Sequence, residues 1–466
     1  MSKNTELVIV PAIGLSHIVP TVEFTKRLIQ HDPHISATFL IITSPRTPQS
    51  YIDSVTNSVT RIRFIFLPPA ELPPQCTEQG IPYIGIYIEN HKPCIKEAIT
   101  KLISDWTDES IQIRIVLDMF SCTMIDVGKE LDIPCYVYLT SGAAMLGLLL
   151  YLPNMEESSS ELILPSYENP VPVMALPDFL LDKNSESYGW ALKFGHYFSE
   201  AKGLIVNSFA ELEAQAVDSF DRLAKNDSRL YMVGPILDLK EKTLPPSDQA
   251  KYDRIMKWLD NQPESSVVFL CFGSRGTLSE EQVKEFAKGL EQSGHRFLWS
   301  LRRPSSGQFE PPSDYANPEE VLPKGFLDRV DGRGLICGWA PQVDVLAHKA
   351  TGAFVSHCGW NSTLESIWFR VPLLTWPLDA EQKMNAFQLV KDLGLGVQLK
   401  AVEKDFVMAD DIEKSVRLIM EGESDLIRSN MKEMSEKCRK SLMEGGSSLS
   451  ILGSLIEDLT KVAVYN

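Results

Sequence analysis

Positive charge is scarce in this chain: 45 Lys and Arg stand against 62 Asp and Glu, a formal net charge of −17. A general nucleic-acid binder needs basic surface to displace counterions from phosphates, so that class is excluded. A small phosphorylated ligand held by a few local donors is not. The eight cysteines are scattered with no CxxC pair, which fits reduced thiols in a cytoplasmic compartment better than disulfides or zinc. Long apolar runs are missing too. "AAMLGLLLYLP" stops well short of the roughly 18 residues that a membrane span needs, and the N-terminal "MSKNTELVIVPAIGLSHIVP" lacks the basic start and long apolar region of a signal peptide. The expected protein is therefore acidic, cytoplasmic and without integral membrane association. The GxGxxG fingerprint of dinucleotide-dependent oxidoreductases is absent as well, because the first strand leads into "AIGLSH".

What is present is length and alternation. A chain of 466 residues exceeds what one hydrophobic core usually supports, so two domains are expected. "ELVIVPAIG", "SATFLIIT", "RIRFIFLP", "IRIVLDMF", "PCYVYLT" and "GLIVNSF" read as buried strands, with helical patterns between several of them and a first helix starting near Pro20. Alternation restarts with "SVVFLCFGSRG", followed by a helix capped by Ser279 and Gln282, and then by "HRFLWSL", "GLICGW", "GAFVSH" and "VPLLTWP". The expected fold is α/β, with two Rossmann-like, doubly wound domains facing a central cleft at the carboxyl ends of their strands. The boundaries expected are an N-terminal domain over 1–240, a linker over 241–253, a C-terminal domain over 254–445, and a closing helix over 446–466 that packs back on the N-terminal domain. The stretch "RRPSSGQFEPPSDYANPEEVLP" reads as a Pro-rich surface loop.

One stretch concentrates polar groups and tryptophans beyond what a core segment needs: "WAPQVDVLAHKATGAFVSHCGWNSTLESIWFRVPLLTWPLDAEQ", from Trp339 to Gln382. "FVSHCGWNSTLESI" has the order strand, turn, helix. His357 falls at the strand end, and Asn361, Ser362 and Thr363 fall at a helix N-terminus, whose free N–H groups and dipole suit a diphosphate. Glu365, one turn after Ser362, could hold the hydroxyls of a ribose. Ser362 and Glu365 equally match a plain capping box. Trp339 could stack on a nucleobase or belong to the core, and Glu381 with Gln382 could bind sugar hydroxyls.

Taken together, "WAPQ", "HCGWNSTLES", "VP" and "DAEQ" at this spacing resemble the signature of plant family-1 UDP-sugar glycosyltransferases, and the likeness extends to "FGS" at the start of the second domain and to the overall length. The resemblance implies a GT-B fold and a UDP-glucose donor for a small, phenolic acceptor. It implies that Trp339 stacks on uracil while the backbone of Ala340 reads its edge, and that Gln342 and Glu365 hold the ribose. His357, Asn361, Ser362 and Ser274 then bind the diphosphate, and Trp360, Glu381 and Gln382 contact the sugar. A final Gln in the box goes with UDP-glucose. Asp379, where the family often has an uncharged residue, and Arg275, where it often has Met, depart from the pattern.

A hydroxyl attacking a sugar must lose its proton, a task suited to a histidine near neutrality. His17, in "GLSHIVP" after the first strand, occupies the position where the family keeps its base, although Ser16 stands where Gly is usual. Asp118, closing "IRIVLDMF", is the family-equivalent acid; Asp126 and Asp132 are the alternatives nearby. Thr140 is expected to reach the sugar or the departing phosphate. The expected chemistry is a single, inverting displacement without a metal or other cofactor, by a chain expected to be a monomer. Apolar, aromatic segments such as "PYIGIYIENH", "AAMLGLLLYLP", "ALPDFL" and "YGWALKFGHYF" each read singly as core, and collectively they suggest the lining of the acceptor cavity. A nicotinamide-dependent oxidoreductase and a non-catalytic UDP-sugar binder are the alternative functions.

Overall fold

The computed structural model describes residues 4–44, 47–69, 80–105, 111–155, 160–224, 228–239, 246–305, 312–399 and 406–461. Among them are two large parallel sheets. The first contains seven strands: β1 (Thr5–Val10), β2 (Ile35–Ile42), β3 (Ile62–Leu67), β4 (Gln112–Asp118), β5 (Cys135–Leu139), β6 (Gly203–Val206) and β7 (Arg229–Met232), in the order β3-β2-β1-β4-β5-β6-β7. The second contains six: β8 (Val267–Cys271), β9 (Arg296–Ser300), β10 (Gly334–Cys337), β11 (Thr351–Ser356), β12 (Leu373–Thr375) and β13 (Gly396–Gln398), in the order β10-β9-β8-β11-β12-β13. Every residue of β1, β5 and β8 is buried, because helices cover both faces of each sheet and the strands must be apolar on both sides.

Two strands of these large sheets escaped the sequence pattern, β7 and β13. Each is four residues or fewer and ends near Gly or Pro, too short for alternation to register. Of the expected linker 241–253, residues 241–245 lie outside the described residues and 246–253 are helical. Pro246 opens a helix to Asp260, a position where its missing N–H costs nothing, and Ile255 and Leu259 anchor that helix in the second sheet's core.

Three helices shape the space between the sheets. Helix α1 (Leu15–His31) follows β1, α2 (Ala143–Tyr151) follows β5, and α3 (Trp360–Phe369) follows β11. A short helix, α4 (Gln382–Phe387), follows β12, and α5 (Ser447–Thr460) closes the described chain. Leu452, Leu455 and Leu459 of α5 are buried against Leu7, Ile9 and Val116 of the first sheet. Its Asp458 accepts hydrogen bonds from Tyr136 (2.8 Å) and Tyr231 (3.1 Å). At α2, every residue from Ala143 to Leu150 is buried. This segment is core on all sides, the reading its composition favoured for it singly, as expected for a helix apolar all round.

Among the hydrogen bonds that join the two halves, three lie just past strand carboxyl ends. Asn361 Nδ2 donates to the carbonyl of Ser16 (3.3 Å), Ser141 Oγ donates to Glu381 Oε1 (3.4 Å), and Trp360 Nε1 donates to the carbonyl of Asn207 (2.7 Å). The carboxyl ends of both sheets therefore face one shared cleft.

Candidate active site

His17 sits on the first turn of α1, which starts at Leu15 rather than near Pro20. Pro20 lies inside the helix, where its ring nitrogen cannot donate to the carbonyl of Ser16 one turn back. That freed carbonyl is the one taken by Asn361 from the other side of the cleft, so the interruption is put to use.

The imidazole Nδ1 lies 2.9 Å from Asp118 Oδ2. An ionised carboxylate only accepts, so Nδ1 carries the proton and Nε2 is left with its lone pair. Asp118 is 1% exposed and is fixed by its second oxygen, which accepts from the Phe120 N–H at 2.9 Å and caps a short 3₁₀ turn. The Phe120 ring meets the imidazole edge-on at 5.3 Å. Burial works to lower the pKa of His17, but the charge and hydrogen bond of Asp118, with Glu381 behind them, outweigh it and leave the pKa raised. Asp126 is engaged elsewhere, with Lys92 and Tyr197, both at 2.8 Å. Asp132 is a positive-φ turn residue after the next helix.

Thr140 Oγ1 is 3.1 Å from the same Nδ1. With the Nδ1 proton directed to Asp118, Thr140 accepts at most a share of it and keeps its own hydroxyl proton free to donate. Behind Thr140, the buried carboxylate of Glu213 accepts from the N–H groups of Ala143 (2.7 Å) and Ala144 (2.8 Å), satisfying the start of α2.

Across the cleft, β11 ends at Ser356 and runs on into His357 and Cys358. Cys358 has φ 64°, uncommon for a residue with a side chain, and this sharp turn starts α3 at Trp360 with Gly359 as its N-cap. Ser362 is thus the third helical residue, and the capping-box alternative fails. Ser362 Oγ instead accepts from Gln342 Nε2 (2.8 Å), which also donates to Glu365 Oε2 (2.6 Å). These three side chains form a preorganised polar cluster. His357 is wedged against two glycines: a Cβ on Gly273 or Gly359 would meet its Nε2 at 2.6 or 2.4 Å. Gly273 also has φ 76°, so glycine is required there twice over. Burial lowers the pKa of His357 to about 4, which keeps the ring neutral with one N–H to give.

The remaining box residues divide by exposure. Trp339 is 36% exposed, Ala340 is buried, and Ser274 and Arg275 are exposed on the loop after β8. Trp360 is buried with its indole N–H committed to Asn207, so its backbone amide, first in α3, is what it can offer a sugar. Gln382 spends its side-chain oxygen on the N–H groups of Leu378 (2.9 Å) and Asp379 (3.0 Å), leaving its amide NH₂ for a ligand. Asp379 accepts from the Ala380 N–H at 2.7 Å and supports a positive-φ Ala380. Sequence reasoning missed Ser141, Asn207 and Glu213. Each acts through a fold contact, and nothing in "TSG" or "NSFAELE" announces one.

A cleft between two Rossmann-like sheets, with a carboxylate-backed histidine on one wall and a glycine-packed, helix-terminal donor array on the other, defines a GT-B glycosyltransferase that uses a sugar nucleotide. Comparison with known proteins agrees. Residues 247–439 match the UDP-glucoronosyl and UDP-glucosyl transferase family. UDP-glycosyltransferase 71K1 of Malus domestica is 48% identical, with 98% of this chain and 99% of that protein covered. Flavonol 3-O-glucosyltransferase UGT71C4 of Arabidopsis thaliana is 44% identical, with 98% of each covered. The crystal structure of Medicago truncatula UGT71G1 complexed with UDP-glucose superposes with a TM-score of 0.88 at 42% identity, covering 98% of this chain and 99% of that one. The chain belongs to the plant family-1 UDP-sugar-dependent glycosyltransferases, and it is an enzyme of that class. Among the described residues no helix is long and apolar enough to cross a membrane.

Proposed function

We propose that this enzyme transfers glucose from UDP-glucose to a hydroxyl of a small phenolic acceptor with inversion at the anomeric carbon. The acceptor's O–H proton passes to His17 Nε2 as its oxygen attacks the anomeric carbon from the face opposite UDP. The bond to the diphosphate oxygen breaks with its electron pair, and an α-linked glucose becomes a β-glucoside. Asp118 keeps Nδ1 protonated and balances the imidazolium that forms. The observation that carries this reading is the 2.9 Å contact between His17 Nδ1 and Asp118 Oδ2 at the cleft wall.

On the donor side, Trp339 stacks on uracil, Ala340 reads its edge, and Gln342 with Glu365 takes the ribose. His357, Asn361, Ser362 and Ser274 meet the diphosphate together with the N-terminus of α3, whose dipole favours the departing charge. The backbone of Trp360, Glu381 and the amide of Gln382 face the glucose, and Thr140 donates its free hydroxyl proton to the sugar or phosphate. These donors neutralise the leaving group in this reading, so turnover persists in EDTA. A phenolic acceptor is favoured because a phenol ionises near pH 10, within reach of an imidazole base. The flavonol named for the Arabidopsis relative is of that class. His17→Ala tests the assignment: transfer is lost while UDP binding, which this side chain does not serve, is retained. Near-parental transfer by that variant would remove His17 as the base.

A further inference from the structure

The exposed ring of Trp339 poses a mechanical problem. A side chain 36% exposed is not held by the core, yet a stacking platform works only if its plane is set before the base arrives. The backbone must therefore set it. Strand β10 ends at Cys337, and the next residues are Gly338, Trp339 and Ala340. Ser300 Oγ donates to the Gly338 carbonyl at 2.6 Å, and the Trp339 N–H donates to Asp314 Oδ1 at 3.0 Å.

Asp314 lies in the stretch read from sequence as a Pro-rich surface loop. It belongs to a two-residue strand, Ser313–Asp314, paired antiparallel with Arg302–Arg303, while residues 306–311 of that stretch lie outside the described set. Its carboxylate is gripped from two further elements. Lys251 Nζ of the Pro246–Asp260 helix is 2.9 Å from Oδ2, and Arg302 Nε is 3.4 Å from Oδ1. The carboxylate also rests directly on Gly338, where an added Cβ would lie 2.0 Å from its Cγ. Gly338 is thus required because the acid occupies its side-chain space. Isolated surface ion pairs contribute little to stability, so this convergence of two cations and a bare glycine on one carboxylate is poorly explained as a stability device. It is well explained as a clamp on one N–H.

We propose that Asp314 is a positioning residue for donor binding: it fixes the Gly338–Ala340 backbone and thereby the plane of the Trp339 indole on which the nucleobase stacks. This rests on the reading of Trp339 as the base platform. Its effect is confined to the nucleotide, because the acceptor and the His17 base lie on the other wall.

The test compares Asp314→Ala, Asp314→Asn and Trp339→Ala by UDP titration calorimetry, by steady-state KM for UDP-glucose and for a phenol, and by melting temperature. Asp314→Ala raises the UDP Kd and the UDP-glucose KM about three- to tenfold, the worth of one partly exposed charge-assisted hydrogen bond. The phenol KM and the melting temperature hold. Asp314→Asn, which keeps an acceptor oxygen for the Trp339 N–H, recovers most of the loss. An unchanged UDP Kd in Asp314→Ala, with weakened binding in Trp339→Ala, overturns the positioning role while leaving the platform reading intact. Unchanged UDP binding in Trp339→Ala overturns the platform reading and this inference with it. A melting temperature and phenol KM that move together with the UDP Kd would make Asp314 merely structural and likewise overturn it.

Discussion

Replacing Asp118 by Asn changes one atom, and the geometry around it dictates the outcome. The Phe120 N–H requires an acceptor at 2.9 Å, so the new amide keeps its oxygen there and turns its NH₂ toward His17. The NH₂ then donates to Nδ1 across the 2.9 Å gap that Asp118 Oδ2 now occupies, and the imidazole must move its proton to Nε2. The nitrogen facing the acceptor becomes a donor and cannot act as base. General-base catalysis is typically worth about 10²- to 10⁴-fold, or about 3–5 kcal/mol of barrier at 1.36 kcal/mol per decade, so kcat falls by that much. UDP affinity and fold are unaffected, since shape and volume are preserved. Asp118→Ala is the informative control. It forfeits the cap on Phe120, at a stability cost of about 1 kcal/mol, but imposes no tautomer, so it retains more activity than Asp118→Asn. The assay is UDP release at saturating UDP-glucose and phenol, with UDP binding measured in parallel. An Asp118→Asn enzyme with kcat within about threefold of the parent, or one more active than Asp118→Ala, would refute the tautomer argument.

The pH profile follows from the same pair. Neutral His17 is the working form, and its pKa is raised because Asp118 outweighs burial; kcat/KM therefore climbs with pH through a midpoint above 6.5, the ordinary histidine value. In the residual activity of Asp118→Asn only burial remains dominant, and the midpoint moves to lower pH. Gln382→His gives up the oxygen that accepts from Leu378 and Asp379, so the 378–380 loop loosens and use of UDP-glucose declines relative to other UDP-hexoses in a donor competition assay. Leu455→Ala in α5 removes a fully buried side chain and destabilises the protein by about 2–5 kcal/mol in denaturant melts, with UDP affinity per folded molecule unchanged.

The sheets and the placement of the Trp339–Gln382 stretch at the cleft were legible because their signals are local. Continuous apolar strands such as "TELVIV" and "VVFLC" leave little choice of structure, and the box from Trp339 to Gln382 keeps its residues on consecutive strand ends and helix starts. His17 was legible as a candidate, but not its setting on the first turn of α1, because a proline six residues into a helix normally argues for a start there. What periodicity cannot reveal is which groups converge from distant segments. Glu213 behind Thr140, Asn207 under the Trp360 indole and Asp314 against Gly338 are each separated by more than 20 residues from the group they serve. The all-apolar "AAMLGLLLY" left both core and cavity lining open for a related reason: composition shows that a helix is greasy, not whether its partners are protein or ligand.

The stereochemistry of transfer tests the proposed His17-assisted displacement most directly. The measurement is proton NMR of the glucoside formed from UDP-glucose and a simple phenol in EDTA, read at the anomeric proton. A β-glucoside from the parent, with none formed by His17→Ala under the same conditions, is the predicted result. An α-glucoside, or a β-glucoside made equally well without His17, would contradict it.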